Sequence, residues 1–263
     1  MRFSLRCLML LSALLVFRTA EAQEIRVAAA ADLKFALDEL GTDYEKQTGR
    51  KLDVSYGSSG NFFAQIQNGA PFDVFLSADI EYPRKLEAAG LVEPDTLYEY
   101  ALGRIVIWMP ADTRADLASF GWKALLDSSV QKIAIANPEH APYGRAAVAA
   151  LRRAGIYEQV RAKLVYGENI AQAAQFTASG NAQAGILALS LAISPPMRGG
   201  KRWEIPANMH SPIEQAAVIL KSAKDKDGAR AFLTFLKSAE ARKILESYGF
   251  SVPVPGRTSA QTQ

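Results

Sequence analysis

The chain has 263 residues, 49% of them hydrophobic, 22% charged and 9% aromatic. That balance supports a substantial core and excludes a disordered chain, a collagen-like fibre and a disulfide-stapled miniprotein. Its net charge of +3 is too small for a protein that binds nucleic acid by neutralising many phosphates.

Residues 1–22 predict a secretory signal peptide. Arg2 and Arg6 supply the positive start, residues 7–17 an apolar stretch too short to span a bilayer, and Ala20-Glu21-Ala22 a small-x-small cleavage pattern. Removing Arg2, Arg6, Arg18 and Glu21 with this segment lowers the charge from +3 to +1. It also removes Cys7, the single cysteine, so no disulfide, thiolate metal site or cysteine nucleophile is expected beyond it. No later stretch is apolar enough to cross a membrane. The expectation is a soluble, exported protein.

Strands and helices then alternate. EIRVAAAA (24–31) reads as a buried strand, followed by a helix with Leu33, Leu37, Leu40 and Tyr44 at helical spacing and Gly49 at its end. Residues 52–56 form a strand. Gly57-Ser58-Ser59-Gly60 opens a second helix carrying Phe63 and Ile66. DVFLS (73–77) is a strand, 81–89 a helix, and GRIVIWM (103–109) a very hydrophobic strand. The pattern restarts with a short helix at 122–127, a strand at 132–136 and the loop Asn137-Pro138-Glu139-His140-Ala141-Pro142. A helix over 143–154, a strand over 163–166, a helix from the N-cap Asn169 to about Gly180, and a strand over 184–188 follow. Residues 194–212 read as loop, 215–220 as an apolar strand, and 226–237 and 239–247 as helices. Alternation of this kind means an α/β fold with parallel sheets. The restart after 110 suggests two lobes with the chain crossing twice, near 103–109 and 215–220. The division expected is 1–22 signal peptide, 23–103 plus 218–252 lobe 1, 104–217 lobe 2, and 253–263 disordered tail.

One feature recurs: a strand running into a helix N-terminus through small polar residues, at Ala31-Asp32, Ser58-Ser59-Gly60, Tyr143-Gly144 and Asn169-Ile170. Such termini carry unpaired N–H groups and partial positive charge. Several aimed at one cleft would hold an anion without lysine or arginine. Each also reads as an ordinary helix cap. Enzyme signals are weak. His140 and His210 are the only histidines and have no metal-ligand spacing, and no phosphate-binding, dinucleotide or serine-nucleophile motif is present. Asp38-Glu39 reads as a solvated helix face, and Trp108, Trp122 and Trp203 as packing aromatics.

VAAAADLKFALDEL, YGSSGNFFAQIQNGAPFDVFLSAD, IANPEHAPYGRAAVAAL and AEARKILESYGF resemble the periplasmic molybdate-binding proteins of ABC importers over roughly residues 24–252. The resemblance implies a type II periplasmic-binding-protein fold, two α/β lobes with a twice-crossed hinge and the ligand cleft between them. It implies capture of molybdate or tungstate, delivery to a membrane permease–ATPase, no catalysis, no cofactor and no metal other than the metal centre of the oxyanion. Nothing demands more than a monomer. The family's oxyanion contacts fall here on Ala31 and Asp32, on the hydroxyl and N–H of Ser59, and on the N–H groups of Tyr143 and Ile170. A tyrosine hydroxyl used by some members falls on Ala188 and is missing.

Asp32 is the departure, since an ionised carboxylate repels a dianion. It can turn away to cap its helix, be protonated and donate, or accept a proton from the ligand. The last would favour a protonated, phosphate-like oxyanion on the same fold. An exported enzyme using His140 or His210, or an exported scaffold, are the rivals from other classes.

Overall fold

The computed structural model describes residues 24–253, so the signal peptide expected at 1–22 and all but the first residue of the tail expected at 253–263 lie outside the described residues. Among the described residues ten strands form two five-stranded sheets: β1 (Ile25–Ala30), β2 (Leu52–Gly57), β3 (Val74–Ser77), β4 (Tyr98–Gly103), β5 (Ile105–Met109), β6 (Ile133–Ala136), β7 (Leu164–Gly167), β8 (Ala184–Ala188), β9 (Lys201–Glu204) and β10 (Ile213–Ile219). The first sheet has the order β2-β1-β3-β10-β4 and the second β7-β6-β8-β5-β9. Each sheet is the floor of one lobe. None of the described helices is long and apolar enough to cross a membrane.

The centre of the first sheet is buried on both faces, which is why β3 and the end of β1 after Arg26 read as apolar runs rather than alternating ones. One face packs on the helix Lys34–Thr48, through Leu37, Leu40 and Tyr44, and on the helices Lys226–Leu236 and Ala239–Ser247. The other face packs on Phe62 and Ile66 of the helix Ser59–Gln67 and Leu86 of the helix Glu81–Ala88. Gly49 ends the first of these helices with φ 71°, a left-handed position suited to glycine. The second lobe's core centres on β5, buried along its whole length, and extends to Ala30, Ala31 and Ala78 of the first lobe.

Four features differ from the sequence expectation. The sheets are mixed, not parallel: β10 runs antiparallel to β3 and β4, and β5 antiparallel to β8 and β9. These are the strands by which the chain enters each lobe from the other, so the reversal follows from the crossing. The stretch 103–109 is not one strand. β4 ends at Gly103 in the first sheet and β5 begins at Ile105 in the second, so the first crossing is a single residue, Arg104. The return crossing lies ahead of residue 213, since Ile213 already pairs with Gly103, and residues 213–217 belong to the first sheet rather than to lobe 2. Finally, β9 lies in the stretch 194–212 read as loop. It is an edge strand, mostly exposed, and its sequence KRWE carries little hydrophobic signal.

Candidate functional site

Four strand ends feed four helix N-termini that meet between the sheets. β1 passes directly into a 3-10 turn, Ala31–Leu33, and then the Lys34–Thr48 helix. β2 leads to Ser59–Gln67, β6 to Pro142–Arg153 and β7 to Ile170–Ala178. All five residues singled out from the sequence, Ala31, Asp32, Ser59, Tyr143 and Ile170, line one pocket there. Its lining contains no lysine or arginine. Among the described residues no group of three or more His, Cys, Asp or Glu could hold a metal ion.

The donors are prepared by their neighbours. The Ser59 hydroxyl oxygen accepts the Ala78 N–H at 2.9 Å, which leaves its proton to point elsewhere. Ser58, not Ser59, is the cap: its oxygen accepts the Asn61 N–H at 3.3 Å. Asn169 caps its helix as the sequence suggests, accepting the N–H groups of Ala171 and Gln172 at 3.0 Å each. Ser59 and Ile170 are the first residues of their helices, and Tyr143 follows Pro142 at the first position of its own. Their N–H groups have no intrahelical acceptor. Ala188 ends β8 without a side-chain donor.

Asp32 does not cap its helix, since no side chain bonds the N-terminus of either the 3-10 turn or the α-helix. The side chain is buried and turned toward the hinge. Its Oδ2 accepts the Tyr143 hydroxyl at 2.9 Å and the Gln215 Nε2 at 2.6 Å, while Oδ1 is buried without a partner. Burial pushes its pKa up to about 6, against the pull of the bonds from Gln215 and Tyr143. The Gln215 Oε1 accepts the Tyr100 hydroxyl at 2.7 Å. Both tyrosines are held well above their usual range, by burial first and then by Asp32, and stay neutral donors. The Ser190 hydroxyl donates to the Asp32 carbonyl at 2.8 Å.

The sequence reading missed Gln215, Tyr100, Ser190 and the phenol of Tyr143. A signal existed for Gln215, a polar residue opening an apolar run. It is fully buried, beside a register shift in β10 that re-aims the chain.

The cleft is closed at its rim. The Gly60 N–H donates to the His140 carbonyl at 2.9 Å, and Asn61 Nδ2 to Glu168 Oε1 at 3.2 Å. Arg145 pairs with Asp79 and donates to the Tyr82 hydroxyl at 3.2 Å. Gly60 is small by necessity, since a Cβ there would stand 2.8 Å from the Tyr82 hydroxyl and press on His140. His140 Nδ1 lies 2.9 Å from the Ser58 hydroxyl, so this histidine is a rim residue. His210 bonds the Ser211 carbonyl and does not line the pocket.

Comparison with known proteins agrees with this architecture. The family model described as "Bacterial extracellular solute-binding protein" matches residues 25–251. The chain is 40% identical over 254 residues to the molybdate-binding protein ModA of Azotobacter vinelandii, covering 96% of this chain and 100% of that one. It is 39% identical to ModA of Rhodobacter capsulatus, over 88% and 89% of the two chains. The solved periplasmic molybdate-binding protein of Azotobacter vinelandii superposes with a TM-score of 0.82 at 36% identity, covering 88% of this chain and all of that one. Two α/β lobes, a twice-crossed hinge and a match along nearly the whole described chain place this protein in the family of bacterial extracellular solute-binding proteins.

Proposed function

We propose that the protein captures molybdate or tungstate in the periplasm and delivers it to the permease and ATPase of an ABC importer. It acts by binding alone, as a monomer, with no cofactor, no nucleic-acid partner and no catalytic residue. The observation that carries this reading is the convergence of four helix N-termini, two from each lobe, on a pocket lined without a cation. Donors alone suit an anion whose outward oxygens are all bare acceptors. In this reading the Ser59 hydroxyl and N–H, and the N–H groups at Ala31 and Asp32, Tyr143 and Ile170, hold the four oxygens. Each bond to a charged group contributes about 1.5–3 kcal/mol, so five or six offset dehydration and closure of the lobes. The relatives named above as molybdate-binding support the choice of ion. The rival in which Asp32 accepts a proton from a phosphate-like ligand is disfavoured by those relatives, which are named for molybdate.

Ligand-linked stabilisation tests the reading. Molybdate or tungstate at a hundredfold excess over the dissociation constant should raise the melting temperature by roughly 5–10 °C. No rise with either ion contradicts it.

A further inference from the structure

We propose that the Asp32 carboxyl, the Tyr143 hydroxyl and the Gln215 amide form a strut behind the pocket that holds the second lobe's helix in position for capture. Tyr143 and Gln215 are then positioning residues. The inference rests on the oxyanion reading above.

Tyr143 carries two functions on one rigid side chain. Its N–H lies at the start of the Pro142–Arg153 helix, facing the pocket, while its ring reaches across the lobe boundary to Asp32. Fixing the hydroxyl therefore fixes the height of the helix N-terminus over the anion.

The amide of Gln215 has one sensible orientation. The Tyr100 hydroxyl occupies Oε1, which directs Nε2 at both Asp32 Oδ2 and the Tyr143 oxygen, the latter at 3.0 Å. Tyr100 and Gln215 sit on β4 and β10, the two strands next to the crossings, so the strut is rooted at the hinge. Gly103, at the first crossing, clears its path. A Cβ there would overlap the Tyr143 hydroxyl and stand 2.9 Å from Gln215 Nε2. From the second lobe, Ser190 grips the main chain of Asp32 while Tyr143 grips its side chain.

No cation touches the carboxyl. The groups facing it are Tyr143 and Ser190 from the second lobe and Gln215 from β10, with Tyr100 behind Gln215. A dianion entering the pocket raises the cost of a negative Asp32, so capture draws a proton to the partnerless Oδ1. Oδ2 remains an acceptor in either protonation state, and the strut persists.

The test is molybdate affinity from pH 5 to 8 by calorimetry, for the wild-type protein and for Tyr143→Phe, Asp32→Asn and Asp32→Ala. The wild type should bind more weakly as pH rises above about 6. Tyr143→Phe should bind about tenfold more weakly, with the fall displaced to higher pH because the carboxylate has lost a donor. Asp32→Asn keeps an acceptor oxygen for Tyr143 but cannot ionise, and its pH profile should be flat. Asp32→Ala should lose affinity. If Asp32→Ala does not fold, the Tyr143→Phe and Asp32→Asn pair carries the test by itself. Wild-type protein that takes no oxyanion overturns the reading of the site. Wild-type protein that binds, with Tyr143→Phe matching it in affinity and pH profile, overturns the strut alone.

Discussion

Two buried carboxylates in the first lobe sit in opposite environments. Asp73, at the start of β3, holds Arg26 through bonds of 3.1 and 3.0 Å and also accepts the N–H groups of Arg26 and Lys224 at 2.9 Å each. Burial pushes its pKa up, but these bonds more than offset that and leave it lowered. Asp32 has only two neutral side-chain donors on one oxygen, a bare second oxygen, and a raised pKa. Asp73 ties the start of β1 to the loop before the Lys226–Leu236 helix, a structural task served by permanent charge. Asp32 lies on the cleft, where a permanent negative charge opposes an anion. The contrast separates a carboxylate placed for folding from one tolerated for what it positions.

The two should respond to substitution with opposite sign. Asp73→Ala leaves the Arg26 guanidinium without its partner and should cost about 3 kcal/mol at pH 7. Urea unfolding measures this, and an unchanged midpoint would show the ion pair to be unimportant. Asp32 works the other way. Its folded pKa, about 6, lies above the unfolded value of 3.8, so its contribution to stability is fully present below pH 3.8 and lost as pH rises through 6. At about 1.4 kcal/mol per unit, Asp32→Asn should gain up to about 3 kcal/mol over the wild type at pH 7, shrinking to nothing near pH 4. A variant less stable than the wild type at pH 7 contradicts the assignment. The comparison of variants matters because Asp73 tilts the protein's own pH curve in the reverse direction.

The site and its rim differ in a similar way. Ser59→Ala removes a buried hydroxyl proposed to face the anion and should weaken molybdate binding about tenfold or more, with the fold intact by circular dichroism. Unchanged affinity takes Ser59 out of the site. At the rim, Arg145 and Asp79 are partly exposed, at 39% and 26% of their side chains. Arg145→Ala should change affinity by less than about fivefold, and the change should fade in high salt. A larger loss that persists at high salt would move the closing contacts from the buried strut to the rim.

Much of the framework could be read before any coordinates. Helical spacing found the Lys34–Thr48 helix through Leu37, Leu40 and Tyr44, and small polar residues marked the four N-termini whose five named residues meet in one pocket. Local signals of that kind act within a few residues. What they could not carry was pairing over distance. β9 is an exposed edge strand recognisable only by its partner β5. The return crossing is set by Ile213 pairing with Gly103, 110 residues earlier. Asp32 resembled a helix cap because its helix is next to it in sequence, whereas its partners Tyr143 and Gln215 are 111 and 183 residues away.

Calorimetric titration of the purified protein with molybdate, tungstate, sulfate, phosphate and chromate tests the central claim most directly. Tight binding of molybdate and tungstate, with weak sulfate and phosphate, is the result expected of this pocket of neutral donors. Preference for phosphate, or no binding of any of the five, would contradict it.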